Sequence, residues 1–365
     1  MTGFVQSVIT IVLFILILGV LVVIHELGHF VTARLAGVRV LEFGVGFPPR
    51  AKVLRAKGET MYTLNWLPLG GFVKLEGEDG DAADDPRAFS SKPLPVRLWI
   101  LVAGVLMNVL LAFVIFTALA FHGDPTFGLQ VGTVQPGSPA EAAGVQGGDV
   151  VISLNGEPFG AFDSGGPTDS LAAHAGETVA IGFERPGSED YTVNVTLRTP
   201  AEIVAHPGAL GVSESKVILT DGTISYTPVE AVQVGAQRTV AALGLIVGGL
   251  GALVHSVATN PTGPPPVSGP VGIATQIGDV FWQLGPLFTL YVAGVLSANL
   301  AVVNVLPFPP LDGGRMLMLT LKRFFGTRIS LRAEQMTYVV GFVFLFGFIL
   351  WVTGFDVARI VSGGT

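Results

Sequence analysis

Residues 22–31 read VVIHELGHFV and close a run, Val8 to Ile24, that carries no charged side chain. About 20 apolar residues in a helix cross the hydrocarbon of a bilayer, and the apolar character resumes beyond the histidines. Ionisable groups at that depth cost a few kcal/mol or more unless they are paired. His25, Glu26 and His29 therefore require a partner inside the membrane. A secretory leader fits the run poorly, because no Lys or Arg precedes it and no small-residue cleavage site follows it.

Four residues apart on a helix, His25 and His29 share one face. Two imidazoles so placed can reach one Zn²⁺ at about 2.0–2.1 Å. Glu26 beside them suits the general base of a metal-assisted hydrolysis. With six histidines in the chain, an accidental H-E-x-x-H is rare. Catalytic zinc takes three protein ligands and keeps a fourth position open. The other histidines, His122, His174, His206 and His255, lie in or beside residues 122–283, away from the end of this helix.

Half the chain is hydrophobic and 13% is charged, which implies a membrane protein with a soluble part. Further spans are expected at Leu98 to Phe121, Leu284 to Phe308 and Met336 to Phe355. Lys and Arg collect on the cytoplasmic side. Residues 32–97 hold ten and residues 309–335 hold five, whereas residues 122–283 hold four against fifteen Asp and Glu. The first and third connections are thus expected in the cytoplasm, and residues 122–283 and both termini outside. Thr239 to Ala258 is apolar but thinned by four glycines, and a span there would turn the basic segment 309–335 outward. It is expected to be an amphipathic, membrane-associated helix within residues 225–260. A net charge of −7 argues against nucleic acid as a partner, and no cysteine is present to form disulfides.

The third span ends in NVLPFPPLDGGR, and it runs in the same direction as the first. That brings Asp312 to the depth of His25 and His29 as a third ligand, although Asp-Gly is also a common turn dipeptide. Gly104 and Asn108 in the second span are spaced for close helix packing.

H-E-L-G-H in the first span, paired with N-x-x-P-x-P-x-L-D-G-G in the third, resembles the site-2 protease family of intramembrane zinc metalloproteases, in its bacterial RseP-like branch. The resemblance implies one zinc per chain on His25, His29 and Asp312, with Glu26 as the catalytic glutamate. It implies that Asn304 holds the substrate or its developing oxyanion; a helix–helix hydrogen bond is the other reading of Asn304. It implies a membrane-reentrant β-loop within residues 36–96, where β-like runs at Val38 to Val45, Met61 to Asn65 and Phe72 to Glu76 are broken by Pro and Gly. A strand edge there, at Gly70, Gly71 and Phe72, would pair with an unwound substrate. Between Gly132 and Phe159 the run G-S-P-A-x-x-A-G-x-x-G-D-V resembles a bacterial PDZ domain, spanning residues 128–213, with Leu210-Gly211-Val212 similar to its carboxylate-binding loop.

The expected architecture is a polytopic α-helical membrane protein with four transmembrane helices, a cytoplasmic-side reentrant β-loop and an inserted extracytoplasmic α+β PDZ domain. In order these are a first span with H-E-x-x-H (1–35), the β-loop (36–96), a second span (97–122), the PDZ domain (128–213), the membrane-associated helix (225–260), a third span with L-D-G-G (284–315) and a fourth (335–356). The expected function is regulated intramembrane proteolysis in a bacterial inner membrane. The substrates would be single-span proteins, such as an anti-sigma factor already cut on its outer face. The alternative is a catalytically inactive PDZ-bearing adaptor with a structural metal.

Overall fold

The computed structural model describes residues 2–78, 85–163, 165–326 and 331–362. The chain divides into two compact units, Met1–Phe116 with Gly235–Thr365, and Thr117–Val234.

The first unit is built on long apolar helices: α1 (Thr2–Leu35), α2 (Leu94–His122), α6 (Pro228–Thr259), α8 (Pro286–Val305) and α10 (Leu331–Val361). Each is long and apolar enough to cross a membrane, so there are five candidates where four spans were expected. A helix satisfies its own backbone hydrogen bonds, which lipid cannot do. α1 ends where Gly37, at φ 67°, leaves the helical region and Val38 N donates to Ala33 O at 2.8 Å. α8 buries small residues at helical spacing, including Ala293, Gly294, Ser297, Ala298 and Ala301. Small side chains let membrane helices approach closely, and a Cβ on Gly294 would stand 2.7 Å from the Phe116 ring.

Two shorter helices complete the bundle: α7 (Pro270–Leu284) and α9 (Asp312–Phe325). Asp356, buried on α10, accepts hydrogen bonds from Gly269 N at 3.2 Å and Gly272 N at 2.8 Å, so its charge caps the start of α7. At the other end, Gly278 packs on Thr10, and the Trp282 indole donates to Thr10 Oγ1 at 3.3 Å. Asp356 lies fifteen residues along α10 from Gly341, which abuts the Pro309 backbone. Thr10 lies equally far along α1 from His25. Fifteen residues of helix rise about 22 Å, which is the distance along α1 from Thr10 to His25 and along α10 from Gly341 to Asp356. After Gly285 (φ 91°), α8 then runs back in the direction of α1.

Between α1 and α2, β1 (Val40–Arg55) and β2 (Met61–Leu75) are bent strands. Residues 40–45 lie between 71–75 on one side and 61–64 on the other, and 61–65 also pairs with 50–55. The strands are longer than the three short runs visible in the sequence. Buried Glu42 ties the layers together: it accepts from Arg50 at 2.8 and 3.0 Å and from Thr63 at 2.7 Å.

The second unit is a six-stranded antiparallel sheet in the order β10-β3-β6-β5-β7-β8. Its strands are β3 (Asp124–Gln130), β5 (Val150–Leu154), β6 (Glu157–Gly160), β7 (Thr178–Glu184), β8 (Tyr191–Thr196) and β10 (Lys216–Ile224). A two-stranded pair, β4 (Thr133–Val134) with β9 (Val212–Ser213), and the short helices α3 (Pro139–Ala142), α4 (Pro167–Ala173) and α5 (Pro200–Ala205) complete it. The sequence explains the local choices. Ser138 caps α3 by accepting from Glu141 N at 3.1 Å, with Pro139 in the first turn. Asn155 and Gly156, at φ 52° and 84°, make the tight turn between β5 and β6. Val151, Ile181, Phe183, Leu197 and Leu210 form the core.

Asp149, with its side chain 2% exposed, receives Arg185 Nε at 2.7 Å and Nη2 at 2.8 Å, and the Tyr191 hydroxyl at 2.7 Å. The Arg185 guanidinium holds the Asp149 carboxyl down at about 2. Burial, with that carboxylate, pushes the Tyr191 phenol up to about 12. A depressed carboxyl stabilises the fold above the unfolded value of about 3.9. We expect this contribution, about 2–3 kcal/mol, to be lost as pH falls from about 4 toward 2. Amide hydrogen exchange at β5 and β7 in the purified chain should accelerate over that window beyond the intrinsic pH effect, and Asp149→Asn should remove the dependence.

Candidate metal centre

His25 and His29 lie on adjacent turns of α1, and both are buried. Asp312 is the first residue of α9. Asp-Gly-Gly is therefore a helix start folded tightly against the end of α8. A Cβ on Gly313 would overlap the carbonyls of Val305 and Leu306, and one on Gly314 would come 2.5 Å from Pro309 N. Only glycine permits this return, and it sends the Asp312 carboxylate to the histidines. His25 Nε2 stands 2.9 Å from Asp312 Oδ2, His29 Nε2 3.2 Å from the same oxygen, and the two Nε2 atoms 3.1 Å apart.

Three donors of a tetrahedral zinc site lie about 3.3 Å from one another. The triangle here is that triangle, contracted by a few tenths of an ångström, and the donor set of two imidazoles and a carboxylate suits zinc. Among the described residues this is the one cluster of three His, Asp or Glu side chains with converging ligand atoms. The outer side of the His29 ring is fixed as a metal ligand requires: Nδ1 donates to Ile100 O at 2.8 Å, which leaves the Nε2 lone pair facing inward.

α2 supplies the floor. Gly28 of α1 packs on the Ala103 carbonyl. A Cβ on Gly104 would overlap His29 Nε2 and lie 2.8 Å from His25 Cε1. Asn108, fully buried one turn on, faces His25 Nδ1 at 3.3 Å.

A cavity of about 640 Å³ opens beside the triangle, lined among others by Glu26, Gly70, Gly71, Phe72 and Asn304. Glu26 and Asn304 have no protein hydrogen bond among the described residues, so both polar groups are available to whatever enters the cavity. Two further charged groups reach it that sequence reasoning passed over: Arg315 and Glu78, paired at 2.5 Å. Arg315 follows Asp312 by three residues and so shares its helix face, a signal already present in the sequence. Leu210, Gly211 and Val212 belong to the second unit. The Leu210 and Gly211 carbonyls accept from Ala140 N and Gln135 N, each at 3.0 Å, and Val212 pairs with Val134.

The chain belongs to peptidase family M50, the site-2 proteases, whose sequence profile matches residues 13–348. It is similar to the zinc metalloprotease RasP of Shouchella clausii, 29% identical over 97% of this chain and 100% of that protein. It is likewise similar to the zinc metalloprotease RasP of Geobacillus kaustophilus, 29% identical over 97% of this chain and 99% of that protein. The chain is thus a multi-pass membrane zinc metalloprotease with Zn²⁺ as its cofactor, rather than a catalytically silent adaptor.

Because a methyl group at Gly104 would occupy the space of both imidazoles, Gly104→Ala should weaken zinc binding at least about tenfold. Helix content should stay unchanged. Competition with a chromophoric chelator, alongside circular dichroism, tests this.

Proposed function

We propose that His25, His29 and Asp312 hold the zinc and that Glu26 is the general base of peptide hydrolysis within the membrane. The observation that carries this reading is the convergence of three ligand atoms beside an unengaged Glu26 at the wall of a cavity. Zinc, when bound there, supplies Lewis acidity to the scissile carbonyl and to the attacking water. Glu26 takes the proton from that water and passes it to the leaving amine. The Asn304 amide donates a hydrogen bond to the carbonyl oxygen as charge develops on it.

A transmembrane helix hides its peptide bonds, so the substrate must be extended before it is cut. Residues 70–75 border the cavity while pairing through one side with 40–45. Their other edge, at Gly70, Gly71 and Phe72, can add an unwound substrate as a further strand. Gly71 comes close to Glu26: a Cβ there would lie 3.5 Å from Glu26 Cγ. A strand added at this edge therefore passes the base.

The substrates we infer are single-span membrane proteins, an anti-sigma factor among them, already shortened on the outer face, and the setting is a bacterial inner membrane. Residues 128–213 act as a PDZ domain that controls access, through size exclusion or through docking of a fresh carboxyl terminus at Leu210, Gly211 and Val212. The capped helix α3 and the antiparallel sheet support that assignment. Charge places the first and third connections in the cytoplasm and both termini outside. With residues 309–335 in the cytoplasm, α6 is read as a membrane-associated helix that adds no crossing, which leaves four.

Two tests follow. Glu26→Gln should keep stoichiometric zinc and lose cleavage of a transmembrane substrate by at least about a thousandfold, whereas Asp312→Ala should lose the zinc as well. Full cleavage by Glu26→Gln would remove Glu26 from the chemistry. Since the chain has no cysteine, single cysteines at Glu189, Asn260 and Arg323 report sidedness to an impermeant thiol reagent in intact cells. Glu189 and Asn260 should label from outside and Arg323 should not; labelling of Asn260 only after lysis would make α6 a fifth crossing.

A further inference from the structure

The zinc reading places a chemical requirement on His25 that the structure assigns to one side chain. A neutral imidazole that gives its Nε2 lone pair to a metal carries its proton on Nδ1. That N–H, buried between α1 and α2, needs an acceptor. Asn108 faces it at 3.3 Å and is fully buried. With the amide nitrogen toward His25, the contact requires an unprotonated Nδ1 and so puts the ring proton on Nε2, where it blocks a metal. With the amide turned by a half-rotation, its oxygen accepts from Nδ1–H and the Nε2 lone pair is free.

Nothing else holds the amide in the first orientation. Asn108 Oδ1 is buried without a hydrogen-bond partner, and the oxygen and NH₂ groups are nearly the same size. The half-turn therefore breaks no other hydrogen bond. The backbone beneath it is fixed: Asn108 O accepts from the buried Ser297 hydroxyl of α8 at 2.8 Å, so the amide pivots on a held residue. His29 needs no such device, since the Ile100 carbonyl can only accept and sets that tautomer permanently.

We propose that Asn108 is a positioning residue that selects the metal-binding tautomer of His25 by presenting its amide oxygen to Nδ1. The proposal rests on His25 as a zinc ligand. With the half-turn made, two Nε2 lone pairs and the Asp312 carboxylate converge with no proton among them, and a cation becomes the group that satisfies all three. Turned back, His25 Nε2–H can donate to Asp312 Oδ2, 2.9 Å away, and the cluster is satisfied without metal.

The test is zinc affinity of the full chain in detergent, by competition with a chromophoric chelator, for Asn108→Leu, Asn108→Asp and His25→Ala. Leucine keeps the volume and removes the acceptor; aspartate keeps the acceptor. We expect Asn108→Leu to weaken zinc binding about 10- to 100-fold and Asn108→Asp to stay within about threefold of the parent or bind more tightly. In Asn108→Leu, the visible spectrum of the Co²⁺-substituted protein should shift, and in Asn108→Asp it should stay tetrahedral. Parent affinity in Asn108→Leu, with zinc lost in His25→Ala, overturns the role of Asn108. So does an equal loss in the Leu and Asp variants, which would make Asn108 a packing residue. Parent affinity in His25→Ala overturns the ligand assignment itself.

Discussion

Two imidazoles and a carboxylate meet inside a bundle of apolar helices, and most of the first unit follows from accommodating them. Unpaired, such groups are expensive in an apolar surrounding; drawn together, they require backbones to approach more closely than ordinary side chains allow. Glycine appears wherever that happens. Gly28 lets α1 reach the Ala103 carbonyl, Gly104 leaves room for both rings, and Gly313 and Gly314 let α9 fold back onto the end of α8. None of these lies at a position where glycine is needed for a positive φ. They are there for space, and a methyl group at any of them meets backbone or ligand atoms.

The sheet answers a different demand. Irregular or extended backbone beside lipid is tolerable only where its polar groups are satisfied. β1 and β2 achieve this by bending, so that each half-strand is paired with another half, and Glu42 is held by Arg50 and Thr63. What remains is the edge at residues 70–75, on the cavity that holds Glu26. The same strand that closes the sheet therefore borders the cavity along its other edge.

The convergence of His25, His29 and Asp312 was legible in the sequence, because H-E-x-x-H has a fixed helical geometry and the first and third spans were expected to run in the same direction. Asp312 followed from that shared direction together with the need of two histidines for a third ligand. Other parts were less visible. Residues 50–55 fall between the expected β-like runs, since Arg50, Lys52 and Arg55 hide a strand that is exposed on both faces. α7 has no counterpart among the expected elements, because Gly272, Gln276, Gly278 and Asp279 dilute its apolar face, and its N-terminus is capped by Asp356, 84 residues distant from Gly272. α9 read as a cytoplasmic connection, and its amphipathic character shows only when Met316, Leu319 and Arg315 are placed on a helix. Asn108 read as packing, since nothing in one sequence shows which nitrogen of His25 it will face.

The two histidines are set up unequally, and the asymmetry has a consequence for how the unit coheres. His29 is oriented by a main-chain carbonyl of α2, which cannot change character. His25 is oriented by a side-chain amide on the same helix, which can present either a donor or an acceptor. The donor form lets the triangle satisfy itself through a proton, while the acceptor form leaves three lone-pair donors that only a cation reconciles. The triangle and its supports thereby draw on α1, α2, α8 and α9 together, since the Asn108 backbone is held by Ser297 of α8 and Asp312 opens α9. The Asn108 amide can therefore turn toward either state of the triangle while its backbone stays held against α8.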